Sequence, residues 1–197
     1  MGYLRIKSRP LNGKIMAQPS KSIAHRAIIC ASLAAGKTQI DNVVLSDDIN
    51  ATIGAVTQLG AEIKIEDSLN FSGRKLLTVY SSGKISSEEK VIDCKESGST
   101  ARFMMPITRL DNSCSTFTGC GRLIERPFDI YKNLFVEKGI TYKDNEGKMP
   151  IALSGRLTSG TYDLSGSVSS QFVSGLLFAL PLLEDDSYIN ITADLQS

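Results

Sequence analysis

Two stretches of the chain follow one plan. "LGAEIKIEDSLNFSGR" (59–74) and "KGITYKDNEGKMPIALSGR" (138–156) each run from a glycine through an alternating strand, a polar turn and a second apolar strand, then Ser-Gly-Arg. Gly60 and Gly139 follow "DDINATIGAVTQL" and "RPFDIYKNLFVEK", where a residue free to adopt the left-handed conformation closes a helix. Upstream, a Ser-rich helix start recurs as "SKSIAHRAIICASLA", "ESGSTARFMMPITRL" and "SVSSQFVSGLLFALPLL". Each sets Ser, Thr or Gly ahead of an apolar run, the signature of a turn feeding a helix. A period of about seventy to eighty residues is too long for a solenoid and implies a few large units packed around one another. The fold reading is α/β, with repeated βαβαββ units whose leading helices are buried and whose sheets lie outside. The units span about 19–90, about 91–156 and an incomplete 157–197.

Composition narrows the function classes. Lysines and arginines number 22 against 21 acids, a net charge of +1, so no global field draws nucleic acid or a membrane surface. Cys30, Cys94, Cys114 and Cys120 form no CxxC pair and His25 is the single histidine, so a zinc site would lack most of its usual ligands and no metal is expected. Cys30, inside an apolar helix, reads as a buried reduced thiol, and Met1 leads into the polar, strand-like "YLRIKSRPL" rather than a secretory leader. Both place the chain in the cytosol. The strongly apolar part of the longest uncharged stretch, 172–183, is shorter than the roughly 20 residues a bilayer span needs and reads as a core helix.

Charge at the helix starts is the local signal. In "PSKSIAHRAIICASLAAGK" (19–37), Ser20 or Ser22 can cap a helix over 23–35 with Gly36 at C′, yet Lys21 and Arg26 lie at its positive end. Arg102 is expected in the first turn of the second such helix, and Arg126 precedes Pro127, a residue suited to the first helical position. Singly, each reads as a solvated charge or a cap. Three buried helices entering from equivalent positions would bring their N-termini together, and a shared anion then makes sense of the cations. Arg supplies bidentate geometry, Lys a point charge, and Ser22, Ser169 and Ser170 short hydroxyl donors. His25 reads as a helix-face side chain without a catalytic part.

At these residues the chain resembles the 5-enolpyruvylshikimate-3-phosphate synthase family, through "SKSIAHR" (20–26), "ESGSTARF" (96–103), "ERPFD" (125–129) and "SSQF" (169–172), in order along the chain. The resemblance implies an enolpyruvyl transferase lobe (an alpha-beta prism) and a cofactor-free transferase of the shikimate pathway, in aromatic amino acid biosynthesis. Its substrates would be phosphoenolpyruvate and shikimate 3-phosphate. By motif, Lys21, Ser22, Arg26, Ser169, Ser170, Gln171 and Ser197 would hold shikimate 3-phosphate. Lys21, Gly98, Arg126 and Gln171 would hold phosphoenolpyruvate, with Lys21 also catalytic.

Two positions depart from the commonest family pattern: Glu96-Ser97-Gly98-Ser99 stands for Asn-Ala-Gly-Thr, and Lys95 stands where a glycine is expected. Family members are also much longer, with two similar lobes closing on the substrates. Residues 1–18 would belong to the other lobe and 19–197 to a substrate-binding lobe whose partner is a missing C-terminal lobe, making this chain a fragment that is inactive when isolated. Two other readings stay open. One is a non-catalytic phosphate-binding module. The other is the related transferase acting on UDP-N-acetylglucosamine, which would have Asn in place of Ser22 and a cysteine in a mobile loop, the broad region of Cys114 and Cys120; Ser169, Ser170 and Gln171 argue against it.

Overall fold

Among the described residues, serine caps set four of the five α-helix starts. In the computed structural model, which describes residues 3–5, 7–10, 12–165, 167 and 169–192, α1 (Lys21–Leu33) begins after Ser20, whose Oγ accepts the Ile23 N–H at 3.3 Å. Helix α2 (Asp47–Gln58) is capped in the same way by Ser46, and α3 (Gly98–Ile107) by Ser97. Helix α4 (Asp129–Glu137) has Phe128 at its cap and no side-chain cap bond, while α5 (Ser170–Ala179) starts at Ser169. Pro127 therefore lies outside α4, before the cap, and not at the expected first helical position. Gly60 and Gly139 do close α2 and α4, with φ of +103° and +75°. Helix α1 stops earlier than its composition suggested. Ala34 is already extended, and Gly36, at φ +114°, opens the next strand instead of ending the helix.

The strands of the described residues form three sheets. Strands β1 (Gly36–Val43), β2 (Glu62–Asp67) and β3 (Lys75–Ser81) make an antiparallel sheet in the order β1-β3-β2. Strands β4 (Lys90–Asp93), β5 (Ser115–Thr118), β6 (Thr141–Asn145) and β7 (Lys148–Ser154) make a second, ordered β4-β5-β7-β6, with β4 parallel to β5. Strands β8 (Thr161–Leu164) and β9 (Tyr188–Ile191) pair in parallel. The run β4-α3-β5-α4-β6-β7 is a complete βαβαββ unit, and β8-α5-β9 repeats its first half. One detail of the sequence plan fails. Ser72-Gly73-Arg74 lies in the turn between β2 and β3, whereas Ser154-Gly155-Arg156 comes at the end of β7, so the shared tripeptide is not structurally equivalent. The described residues of 3–18 form no strand; Gln18 Oε1 accepts from Arg74 Nη2 at 2.8 Å.

Burial of the leading helices is unequal. Helix α3 is buried on nearly every side, and Gly175 lets α5 come against it: a Cβ there would lie 2.3 Å from the Arg102 carbonyl oxygen and 2.2 Å from Tyr131 Oη. Helix α1 keeps an open face, with Ile23 at 68% exposure and Cys30 exposed, so the expected all-round burial of α1 and of the Cys30 thiol is wrong. The buried thiol is Cys94, and burial pushes its pKa up. An apolar helix buries only the faces that find a neighbour, and none of the described elements covers this one. Among the described residues no helix is long and apolar enough to cross a membrane.

Candidate functional site

Two arginines converge on the α3 N-terminus. Gly98 is its first residue, and a Cβ there would lie 2.8 Å from Arg126 Nη1 and 2.9 Å from Arg102 Nη1. Two guanidinium tips thus meet over one glycine at the positive end of a helix, where backbone N–H groups lack intrahelical partners. Burial lowers the Arg102 pKa from its ordinary value, and the Arg126 charge lowers it further. The Arg102 guanidinium stays aligned because its faces rest on Phe172 and Phe128, 5.0 and 5.7 Å from the ring centroids. Its Nη1 donates to Gln171 Oε1 at 2.7 Å, and Gln171 Nε2 donates to Ser99 Oγ at 2.8 Å. Gln171, in the first turn of α5, therefore spans to the first turn of α3.

The α1 side is built differently. Lys21 is the first residue of the helix, and its ammonium pairs with Asp48 in the first turn of α2. The chain itself thus supplies the negative partner that the sequence around Lys21 lacks. Arg26 is not in the first turn. It lies one turn further in, donates from Nη1 back to the Ser22 carbonyl at 3.0 Å and from Nη2 to Ser174 Oγ of α5 at 3.2 Å, and stands over the Phe103 ring of α3 at 5.1 Å. Arg26 therefore ties α1 to both other helices. Arg102 is likewise past the first turn, which puts its guanidinium back over the helix start, since side chains on a helix lean toward its N-terminus.

Of the residues singled out by sequence, Gly98, Arg126 and Gln171 come together around the α3 start, with Ser169 and Ser170 at the α5 start beside Gln171. Arg26 joins this group through α5, and Ser22 through its carbonyl. Lys21 stands apart, on the Asp48 side, where a cleft of about 550 Å³ is lined by Asp47, Asp48, Asn50, Lys95, Glu96 and Cys120. Ser197 lies outside the described residues. Lys95 adopts φ +52°, the left-handed conformation in which a glycine would be at ease, and pairs with Asp93 at 2.5 Å. Sequence reasoning noted Arg102 as a cation without assigning it to the site, and missed Asp48, Ser99 and Ser174. Arg102 repeats the Arg26 position about one turn into a Ser-capped helix, a signal that was available; Asp48 is joined to Lys21 only by the fold.

Residues 6–197 match the family profile of EPSP synthase (3-phosphoshikimate 1-carboxyvinyltransferase). The chain is 47% identical over 199 residues to the 3-phosphoshikimate 1-carboxyvinyltransferase of Clostridium acetobutylicum, covering 100% of this chain and 45% of that protein. It is 44% identical over 201 residues to that of Clostridium novyi, covering 100% of this chain and 46% of that protein. The chain thus spans about half the length of the curated relatives it matches. Among solved structures, an EPSP synthase from Acinetobacter baumannii shares the fold, with a TM-score of 0.72 at 22% identity over 94% of this chain and 41% of that one. Carrying that family's profile along nearly its whole length, the chain belongs to the EPSP synthase family.

Proposed function

We propose that this chain supplies one wall of a cleft in which the enolpyruvyl group of phosphoenolpyruvate is transferred to the 5-hydroxyl of shikimate 3-phosphate, releasing phosphate. The observation that carries the reading is the meeting of Arg102 and Arg126 over Gly98, two cations whose shared partner is best an anion. Both substrates are phosphorylated carboxylates, so several cations on one face have something to hold.

In this reading Arg26, Ser22, Ser169, Ser170 and Gln171 hold shikimate 3-phosphate, joined by Ser197. Arg126, Gln171 and the backbone at Gly98 hold phosphoenolpyruvate. The 5-hydroxyl gives up its proton as its oxygen adds to C2 of phosphoenolpyruvate and C3 gains a proton; the tetrahedral adduct then loses a C3 proton and expels phosphate, restoring the double bond. Lys21 reaches both ligands once an anion draws its ammonium from Asp48, and it stabilises the developing charge or moves a proton. No cofactor takes part, and the setting is the cytosol.

The second wall and its catalytic groups come from a second lobe. Excluding water and completing the set of charges needs both walls, so this chain alone binds without turning over. Calorimetric titration of the purified chain with shikimate 3-phosphate, then shikimate, then repeated on Arg26→Ala, tests the reading. Binding that needs the phosphate and weakens in Arg26→Ala supports it. Equal affinity for the ester and the free alcohol, or turnover by the chain alone, overturns it.

A further inference from the structure

Between α1 and α3 runs a line of buried polar side chains to which the proposed function assigns no part in holding either substrate. His25 Nδ1 lies 2.7 Å from Thr52 Oγ1, which lies 2.7 Å from Thr100 Oγ1, which lies 2.7 Å from Ser97 Oγ. His25, Thr52, Thr100 and Ser97 are each 0–1% exposed. The line starts on α1 beside Arg26, passes through α2 and ends on the residue that caps α3, next to Gly98.

Counting protons gives the line a direction. Ser97 Oγ already accepts the Thr100 N–H at 3.1 Å as the helix cap. If His25 carries its proton on Nδ1, then Nδ1 donates to Thr52, Thr52 to Thr100 and Thr100 to Ser97, so each hydrogen from Nδ1 to Thr100 has an acceptor, and the Ser97 hydroxyl hydrogen, on a rotor that can turn, is the one left without a partner among the described residues. The leftover ring atom is then Nε2, a bare lone pair. In the other tautomer Thr52 donates to Nδ1 instead, and Nε2 becomes a rigid ring N–H with nothing to donate to, since that atom is buried without a partner among the described residues. Buried orphan donors are rarer in proteins than under-used acceptors. The forward direction also lets each bond polarise the next.

We propose that His25, held as the Nδ1–H tautomer, together with Thr52, Thr100 and Ser97 forms a one-way hydrogen-bond chain. It fixes the α3 start, with Gly98 and Arg102, against the α1 start, with Lys21 and Arg26. All four are positioning residues. Asp48 belongs to the same junction: its carbonyl lies 3.3 Å from Thr52 Oγ1 and 3.5 Å from Thr100 Oγ1, while its carboxylate pairs with Lys21. The first turn of α2 is therefore a keystone between the two cationic helix starts. Its effect on ligands rests on the anion site proposed above; the tautomer does not.

Because His25 is the single histidine, imidazole nitrogen resonances of the uniformly ¹⁵N-labelled chain at neutral pH report it without ambiguity. The expected result is a pyrrole-like Nδ1 and a pyridine-like Nε2; the reverse pattern overturns the proposal. The second arm compares Thr52→Val, which removes only the hydroxyl, with Thr52→Ser, which restores it. Backbone amide resonances of Gly98, Ser99 and Arg102 shift in the valine variant and return in the serine variant. Resonances at the α3 start that stay put in Thr52→Val, or that fail to return in Thr52→Ser, also overturn it. Affinity for phosphoenolpyruvate, measured with shikimate 3-phosphate present, should fall about tenfold in Thr52→Val and recover in Thr52→Ser. A wild-type chain that binds neither substrate refutes the proposed function instead, and the tautomer and amide shifts still decide the positioning role.

Discussion

Acidification should unfold this chain in a window set by His25. Burial lowers its pKa from 6.5 to about 4; Lys21 and Arg26 push in the same direction and Asp48 opposes them. The folded state thus resists a proton that the unfolded state accepts between those values, so stability rises with pH across the window. Above about pH 6.5 the histidine costs nothing; moving down toward pH 4 removes about 3 kcal/mol, from roughly 2.5 pKa units at about 1.4 kcal/mol each. The carboxylates of Asp93, Asp111 and Asp144 lie below their ordinary 3.8, so they lose their contribution only at lower pH, outside this window. Urea unfolding at several pH values between about 7 and 4.5 should move the midpoint down by roughly 1 M for the wild type. In His25→Asn, whose amide can replace Nδ1 toward Thr52 but cannot take up a proton, the midpoint should stay level over the same range. An equal slope in both proteins would refute the reasoning, because the titration would then belong to another group.

Two substitutions separate the site from the core. Gly98→Ala sets a methyl against the side-chain ends of Arg102 and Arg126 and not against backbone, so the chain should still fold while the Arg102 end is pushed from its place beside Gln171. Phosphoenolpyruvate affinity, measured by calorimetry with shikimate 3-phosphate present, should nevertheless fall tenfold or more, about 1.4 kcal/mol. Gly175→Ala meets the backbone carbonyl of Arg102 and the buried Tyr131 hydroxyl, neither of which can turn away. A loss of about 3 kcal/mol or more is expected in urea unfolding, and a near-neutral result would mean that α3 and α5 are not in such close contact.

What the sequence carried was mostly local. Ser20, Ser97 and Ser169 announce helix starts because a cap is a contact over two or three residues, and Gly60 and Gly139 end helices because a left-handed residue is an intrinsic preference. The errors came where a local pattern stood in for a tertiary fact. Ile23 and Cys30 are in an apolar helix, but whether such a face is buried depends on what lies opposite. Ser72-Gly73-Arg74 matches Ser154-Gly155-Arg156 in letters, yet the longer connection between β2 and β3 carries it into a turn. The site contacts are the least local of all. Lys21 meets Asp48 across 27 positions and Arg102 meets Gln171 across 69, so residue type could nominate these side chains but could not pair them.

The two cationic helix starts are handled in opposite ways, and the difference has a consequence for closure. Lys21 has a resident carboxylate, so in the open chain its charge is compensated and an incoming anion must compete with Asp48. Arg102 and Arg126 share Gly98 and compensate each other not at all. Their Nη1 tips each lie within 3 Å of one point over Gly98, and two like charges roughly 6 Å apart, the upper limit this allows, repel by roughly 0.7 kcal/mol in water but by about 3 kcal/mol at an effective dielectric of 20. An open, wetted wall therefore tolerates the arginine pair cheaply. A second wall that excludes water from this corner would multiply the repulsion if the corner were empty and multiply the attraction if an anion filled it. In the proposed two-walled cleft, closure over the α3 start would thus be favoured only with the anion in place, and the arginine pair of this one wall would couple ligand to closure.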